Sequence, residues 1–205
     1  MHSVPSAEAA FARAADSVLA TIARPEFHIE QAPAPQRLAP YALTVTAEAT
    51  APAIDSPIGT LSESATGRFV LLHDPDGVEE WEGLYRVVIF SRCDVEPEML
   101  NDPLIHEVAW SWVLDALEEL PTAQIGGTVT ITSGTSFGTM IDRPEDGLVE
   151  VRASWTPIFA DGVHPDSESG LPEHVHAWID IMSRVAGLPP LPAGIATVGH
   201  RSRAT

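Results

Sequence analysis

Between residues 6 and 24 apolar side chains recur at steps of three and four: Ala10, Phe11, Ala14, Ala15, Val18, Leu19 and Ile22. That spacing lines one face of a helix, with Ser6 as its N-cap and Pro25 as its stop. Pro33, Pro35 and Pro40 then predict an extended connector. From Tyr41 the period falls to two. Tyr41, Leu43, Val45 and Ala47 alternate with Thr44, Thr46 and Glu48, which predicts a half-buried strand. Residues 51–65, with Pro52, Pro57 and Gly59, read as a loop. Arg68 to His73 reads as a second strand, apolar through Phe69, Val70, Leu71 and Leu72. It runs into Asp74-Pro75-Asp76-Gly77, a sequence with strong turn chemistry. Leu84 to Arg92, with Val87, Val88, Ile89 and Phe90, is a third strand. The second and third strands are therefore expected to pair as a central antiparallel hairpin.

Residues 102–120 carry Ile105, Val108, Ala109, Trp112, Val113, Ala116, Leu117 and Leu120 at helical spacing. Asp102 is the expected N-cap, Pro103 the first helical position and Pro121 the stop. Thr128 to Ser133 and Leu148 to Ile158 alternate as the fourth and fifth strands. A third helix starts near Pro172 and carries Val175, Trp178, Ile179, Met182 and Val185, with Gly187 as its C-cap. The expected order is α-β-β-β-α-β-β-α. Strands that succeed one another through turns pair antiparallel, so the fold class is α+β: a five-stranded antiparallel sheet with three helices. Residues 1–190 form one domain in this reading, and residues 191–205, with their Pro-rich entry and basic end, a tail.

Composition narrows the function. Apolar residues make up 44% of the 205 and charged residues 20%, enough for a sizeable core. No apolar run reaches the ~20 residues that cross a bilayer, so no integral membrane role is expected. The net charge is −18, and all 11 basic residues are arginine. Such a chain repels phosphate backbones, so no nucleic-acid or anionic-membrane partner is expected. Residues 66–121 alone hold 13 acids against 3 arginines, which predicts an acidic surface around the central hairpin and second helix. One cysteine, Cys93, allows no internal disulfide. The N-terminus has neither the basic start nor the unbroken apolar stretch of a secretory leader. The expected setting is the cytoplasm.

Each motif that suggests chemistry lacks the context that chemistry needs. Gly134-Thr-Ser136-Phe-Gly138 matches the G-x-S-x-G nucleophile elbow, but an elbow leads into a helix, and here Pro144 and Asp146-Gly147 follow. His174 and His176, near His164 and Glu173, form an H-x-H pair. On a helix residues two apart point about 200° away from each other, so the pair is read as exposed rather than metal-binding. Asp74 and Asp76 with Glu79 and Glu80 miss the calcium-loop spacing, because Gly77 falls at the fourth position. Cys93 has no histidine close in sequence. No catalytic residue, metal or cofactor is therefore expected.

The tryptophans say more. Trp112, Trp155 and Trp178 occupy apolar registers and are expected in the core. Trp110 points to another helix face, and Trp81 lies in the acidic run Glu79-Glu80-Trp81-Glu82, where it is expected to fold back on the sheet. Trp81, Glu79, Glu80, Glu82 and Trp110 are the candidate residues for a protein partner.

The runs Gly67-Arg-Phe-Val-Leu-Leu-His-Asp-Pro75, Trp81-Glu-Gly-Leu-Tyr-Arg-Val-Val88, Trp110-Ser-Trp112 and Val151-Arg-Ala-Ser-Trp-Thr-Pro157 carry a resemblance. They resemble an uncharacterised actinobacterial family known as a domain of unknown function, number three thousand in its series. The resemblance spans about residues 6–190 and implies no activity. The lack of lysine suits a GC-rich genome of that kind. The element order also resembles the type III secretion chaperone fold, whose members are small, acidic and commonly dimeric. That likeness rests on order and charge, so it is an analogy.

Two functions from different classes follow. The first is a non-catalytic adaptor or chaperone-like protein that binds a protein partner, a basic one by charge, with a homodimer compatible. The second is a small-ligand binder or enzyme whose site assembles only in three dimensions, with His73, His106, Arg86 and Arg152 as its scattered candidates. The failed contexts above favour the first.

Overall fold

The computed structural model describes residues 6–21, 24–49, 65–95, 97–142, 146–160 and 163–188. The tail expected at 191–205 and most of the loop expected at 51–65 lie outside them. The fold is α+β, with three long helices and one antiparallel sheet. Helix α1 (Ala7–Leu19) is followed by strands β1 (Phe27–Ala32), β2 (Tyr41–Ala49), β3 (Thr66–Val78) and β4 (Gly83–Val95). A one-turn helix α2 (Pro97–Leu100) and α3 (Ile105–Leu117) lead to β5 (Thr122–Gly134), β6 (Asp146–Pro157) and α4 (Leu171–Val185). The sheet order is β1-β2-β3-β4-β6-β5. The first four strands form a meander. The chain then passes through α3 to the edge strand β5, and β6 returns to fill the place beside β4.

The sheet has six strands, not the five expected. The additional strand, β1, falls in the segment read as a connector. Only Phe27 is buried in it and Ile29 packs beside the core, too short an alternation to stand out between Pro25 and Pro33. An edge strand tolerates such neighbours, because one side of its ladder needs no partner. The central hairpin pairs antiparallel as expected, with Phe69 opposite Ile89 and Leu71 opposite Val87. Its reversal is displaced, however. Asp74 to Gly77 forms an irregularity in the ladder, in which the Asp76 amide donates to Asp74 Oδ1 (3.0 Å) and Gly77 takes φ +78. The chain turns back four residues later, through Glu79–Trp81 and a left-handed Glu82, between paired Val78 and Gly83. The turn chemistry of that tetrapeptide is satisfied by a bulge as well as by a turn.

Ser6 caps α1 by accepting from the Ala9 amide (3.2 Å), and α1 ends at Leu19, short of Pro25. Asp102 does not cap α3 directly. Its Oδ1 accepts from the Leu104 amide (2.9 Å), and the helix begins at Ile105. Beyond α4, Gly187 takes φ +64 while the Leu188 amide donates to the Ser183 carbonyl (2.8 Å), the closing pattern that glycine permits.

Period two divides the sheet cleanly. Odd-numbered residues of β2, β3, β4 and β6 face the helices: Leu43 and Val45, Phe69 and Leu71, Val87 and Ile89, Val151 and Trp155 are all buried. α4 lies at the centre of this layer, against β3, β4 and β6 and between α1 and α3. That position explains why its buried set extends beyond one stripe, to His174, Ala177, Ile181 and Ser183. No helix packs on the other sheet face among the described residues. None of these helices is long and apolar enough to cross a membrane.

Candidate functional site

The uncovered face carries the even-numbered residues. A solvated antiparallel face reads as polar. Here Val70, Leu72, Val88 and Phe90 stand near its centre, and Val70 and Leu72 are buried. The connector between β1 and β2 forms one wall through Pro33, Pro35 and Leu38. Between that wall and the sheet lies a groove of about 660 Å³, floored by Thr44, Thr46, Val70, Val88 and Phe90. This is within the roughly 300–1,000 Å³ of small-ligand sites. Thr44 is 1% exposed, and its Oγ1 has no hydrogen-bond partner among the described residues. A buried hydroxyl without a partner is uncommon, because it loses water and regains nothing.

Register places three residues in one cross-strand row. Arg68 of β3 lies opposite Phe90 of β4, which lies opposite Arg152 of β6. The Arg152 guanidinium sits over the Phe90 ring at 5.6 Å, and its Nε pairs with Glu150 Oε1 at 2.7 Å. Arg68 is exposed and makes no ion pair among the described residues. Further along the same face, Arg86 donates to Ser154 Oγ (2.7 Å) and Thr156 Oγ1 (3.1 Å), and burial lowers its pKa. Thr156 in turn donates to the Trp81 carbonyl (2.6 Å), which ties this face to the hairpin tip. The groove thus offers apolar walls, hydroxyls, guanidinium donors and one carboxylate, Glu48. A guanidinium holds an anion but cannot accept a proton, so of the charged groups in the lining only Glu48 could serve as an acid or base.

The scattered candidates separate accordingly. Arg86 and Arg152 share the uncovered face. His106 is exposed on α3, and His73 lies on the helix side. His73 is stacked on Tyr85 (4.3 Å between centroids) and flanked by Phe11 and Tyr41. Its Nδ1–H donates to the Leu84 carbonyl (3.0 Å). Burial lowers its pKa, with that hydrogen bond opposing the effect. Tyr85 adds an edge contact to Phe159, and burial raises its pKa. This cluster seals the core beneath α1.

His174 is buried, not exposed as the H-x-H reading held. Its Nδ1 accepts from Trp155 Nε1 (3.1 Å), and burial lowers its pKa to about 4. His176 is exposed, so the two imidazoles do diverge. No group of three or more His, Cys, Asp or Glu among the described residues is placed to hold a metal. Ser136 lies in a loop between β5 and a short turn, Gly138–Met140, without the helix an elbow requires. Cys93 is buried, and its Sγ–H donates to the Asp94 carbonyl (3.1 Å).

Of the partner candidates, Glu79, Glu80 and Glu82 are exposed around a half-buried Trp81 at the β3–β4 tip. Trp110 stands apart. It is half-buried on α3 and packs over Gly127 of β5, where no side chain intervenes. Trp155 and Trp178 are fully buried, and Trp112 is partly buried against the core. Thr44, Arg68, Val88 and Phe90 did not stand out in the sequence. Their common parity within their strands was the available clue.

A family model described as "Protein of unknown function (DUF3000)" matches residues 7–196. No curated protein and no solved structure matches the chain.

Proposed function

The chain belongs to the DUF3000 family, and from that premise we propose that it acts by binding rather than by catalysis, with the groove on the helix-free sheet face as its ligand site. The observation that carries this reading is an apolar, walled groove where a solvated strand face is expected, with the unpartnered Thr44 hydroxyl in its floor. The occupant is elongated and mainly apolar, laid across β2, β3 and β4. The reading places the protein in the cytoplasm, a setting its one, buried cysteine suits. Titration with the neutral dye N-phenylnaphthylamine tests it. Fluorescence should rise on binding, and Val88→Lys, a charge set in the half-exposed floor, should abolish the rise. No binding, or equal binding by Val88→Lys, would sink the proposal.

A second reading keeps the adaptor role for a protein partner. Phe137, Ile141 and Met140 are 76%, 67% and 51% exposed beyond β5, an apolar patch of the kind that partners cover. The acidic tip at Glu79, Glu80, Trp81 and Glu82 adds a surface complementary to a basic partner. Native mass spectrometry of the purified protein separates the two readings. A stoichiometric protein lost on Phe137→Asp favours the adaptor; a small molecule lost on Val88→Lys favours the groove.

A further inference from the structure

The groove also specifies the head group of its occupant. Resting on the groove reading above, we propose that the ligand is an amphipathic carboxylate whose anionic end lies between Arg68 and Arg152 and whose apolar body crosses Val70 and Val88. In a protein of net charge −18 the general field repels anions. Four of the 11 arginines nevertheless stand on this one face, Arg68, Arg86, Arg92 and Arg152, beside the acids Glu30, Glu48, Asp94 and Glu150, of which only Glu48 lines the groove. Arg68 and Arg152 flank Phe90 in one row, two strand spacings or about 10 Å apart at their Cα atoms, and both line the groove. Neither is neutralised in full. Glu150 engages Arg152 through Nε, and among the described residues no ion pair reaches its terminal nitrogens and no carboxylate pairs with Arg68.

A second and independent observation points the same way. Thr44 lies two residues from this row, next to Val70, with a buried hydroxyl that has no partner among the described residues. An oxygen-bearing occupant would give it an acceptor. The apolar floor excludes a small, wholly polar anion, which would strand Val70 and Val88 against charge. The arginines in turn disfavour a wholly apolar occupant, which would strip them of water without compensation. An anion with an apolar body satisfies both.

Isothermal titration with decanoate and decanol, which share a chain length and differ in the charged head, tests the assignment. Decanoate should bind roughly three- to ten-fold more tightly at low salt, the range for partly exposed ion pairs. High salt should erase the difference. Arg68→Gln and Arg152→Gln should each shrink the ratio, chiefly by weakening decanoate, and together bring it to unity. Glu48→Gln should enlarge the ratio by removing the one acid of the lining. Arg184→Gln, on α4 behind the sheet, should alter neither affinity. Equal affinity for the two probes would overturn the carboxylate and leave the groove reading standing. So would a decanoate preference that survives the double variant. Failure of both probes to bind would overturn the groove itself.

Discussion

Replacing Thr44 by valine should make the unliganded protein more stable. Thr44 is 1% exposed in β2, between Ala32 of β1 and Val70 of β3, and its hydroxyl finds no partner. An unpaired buried hydroxyl costs about 1–3 kcal/mol. Valine keeps the branched shape and the strand preference and removes that cost. Thr44→Val should therefore add about 1–2 kcal/mol to the unfolding free energy. For a chain of this length that raises Tm by roughly 2–8 °C. Thr44→Ser provides the contrast. It keeps the unpaired hydroxyl, deletes a buried methyl and should lose about 1 kcal/mol. Urea unfolding followed by tryptophan emission is the assay, because Trp155 and Trp178 move from full burial to water. A Thr44→Val protein less stable than the parent by about 1 kcal/mol would mean that the hydroxyl is bonded, and the reasoning would fall. The same substitution should weaken decanoate binding. A residue that costs stability in the empty protein and contributes when the groove is filled is the signature of a site.

Three further outcomes are expected. His174 titrates at about 4 when folded and at its ordinary 6.5 when unfolded, so the unfolded chain binds more protons between those values. Stability should be complete above pH 6.5 and fall by about 3 kcal/mol as pH drops toward 4; His174→Asn, which keeps an acceptor for Trp155 Nε1, should flatten that slope in pH-dependent urea melts. Gly127→Ala drives a methyl into the Arg152 carbonyl oxygen and to 2.7 Å from Trp110 Cζ3, and should cost about 3 kcal/mol or more with a changed near-ultraviolet tryptophan spectrum. Gly126→Ala meets nothing within 4 Å and should be nearly silent in the same measurements. Finally, the net charge of −18 should make Tm rise from very low to physiological salt, and a flat response in calorimetry would show that self-repulsion is unimportant.

The fold was legible wherever the period was long. α3, α4 and the pair β3–β4 are carried by eight, five and eight apolar positions at the right spacing, and each lies where the pattern puts it. β1 was lost because only Phe27 and Ile29 turn inward, between two prolines. The hairpin's reversal was misplaced because an aspartate-led, glycine-closed tetrapeptide satisfies a bulge as readily as a turn. His174 was misread for a different reason. It is four residues before Trp178 and therefore belongs to the buried stripe of α4, and the same divergence of about 200° that ruled out a shared metal turns it inward when His176 faces out. The hydrogen bond from Trp155, nineteen residues away in sequence, is what allows it to stay inside.

The groove was hidden by the order of the strands. Parity alone places Arg68, Phe90 and Arg152 on one face of their own strands, but their row exists only because β6 lies between β4 and β5. Had β5 paired with β4 in chain order, Phe90 would face a threonine-rich edge and Arg152 would stand one strand farther off. Charge counted along the chain is equally blind to faces. Residues 66–121 read as an acidic stretch, 13 acids to 3 arginines, and so as a surface for a basic partner. All three of those arginines, Arg68, Arg86 and Arg92, occupy even positions of β3 and β4 and thus the uncovered face. Of the acids in that stretch, Asp94 shares their face on β4, while Glu79, Glu80 and Glu82 stand at the hairpin tip and Glu107 and Asp115 on α3. A sum along the sequence does not say which charges share a face, and the strand acids Glu30, Glu48, Asp94 and Glu150 share this one with the arginines. Within the groove itself the charged lining narrows to Arg68, Arg152 and Glu48, which is how so acidic a chain can still offer guanidinium donors to an anion.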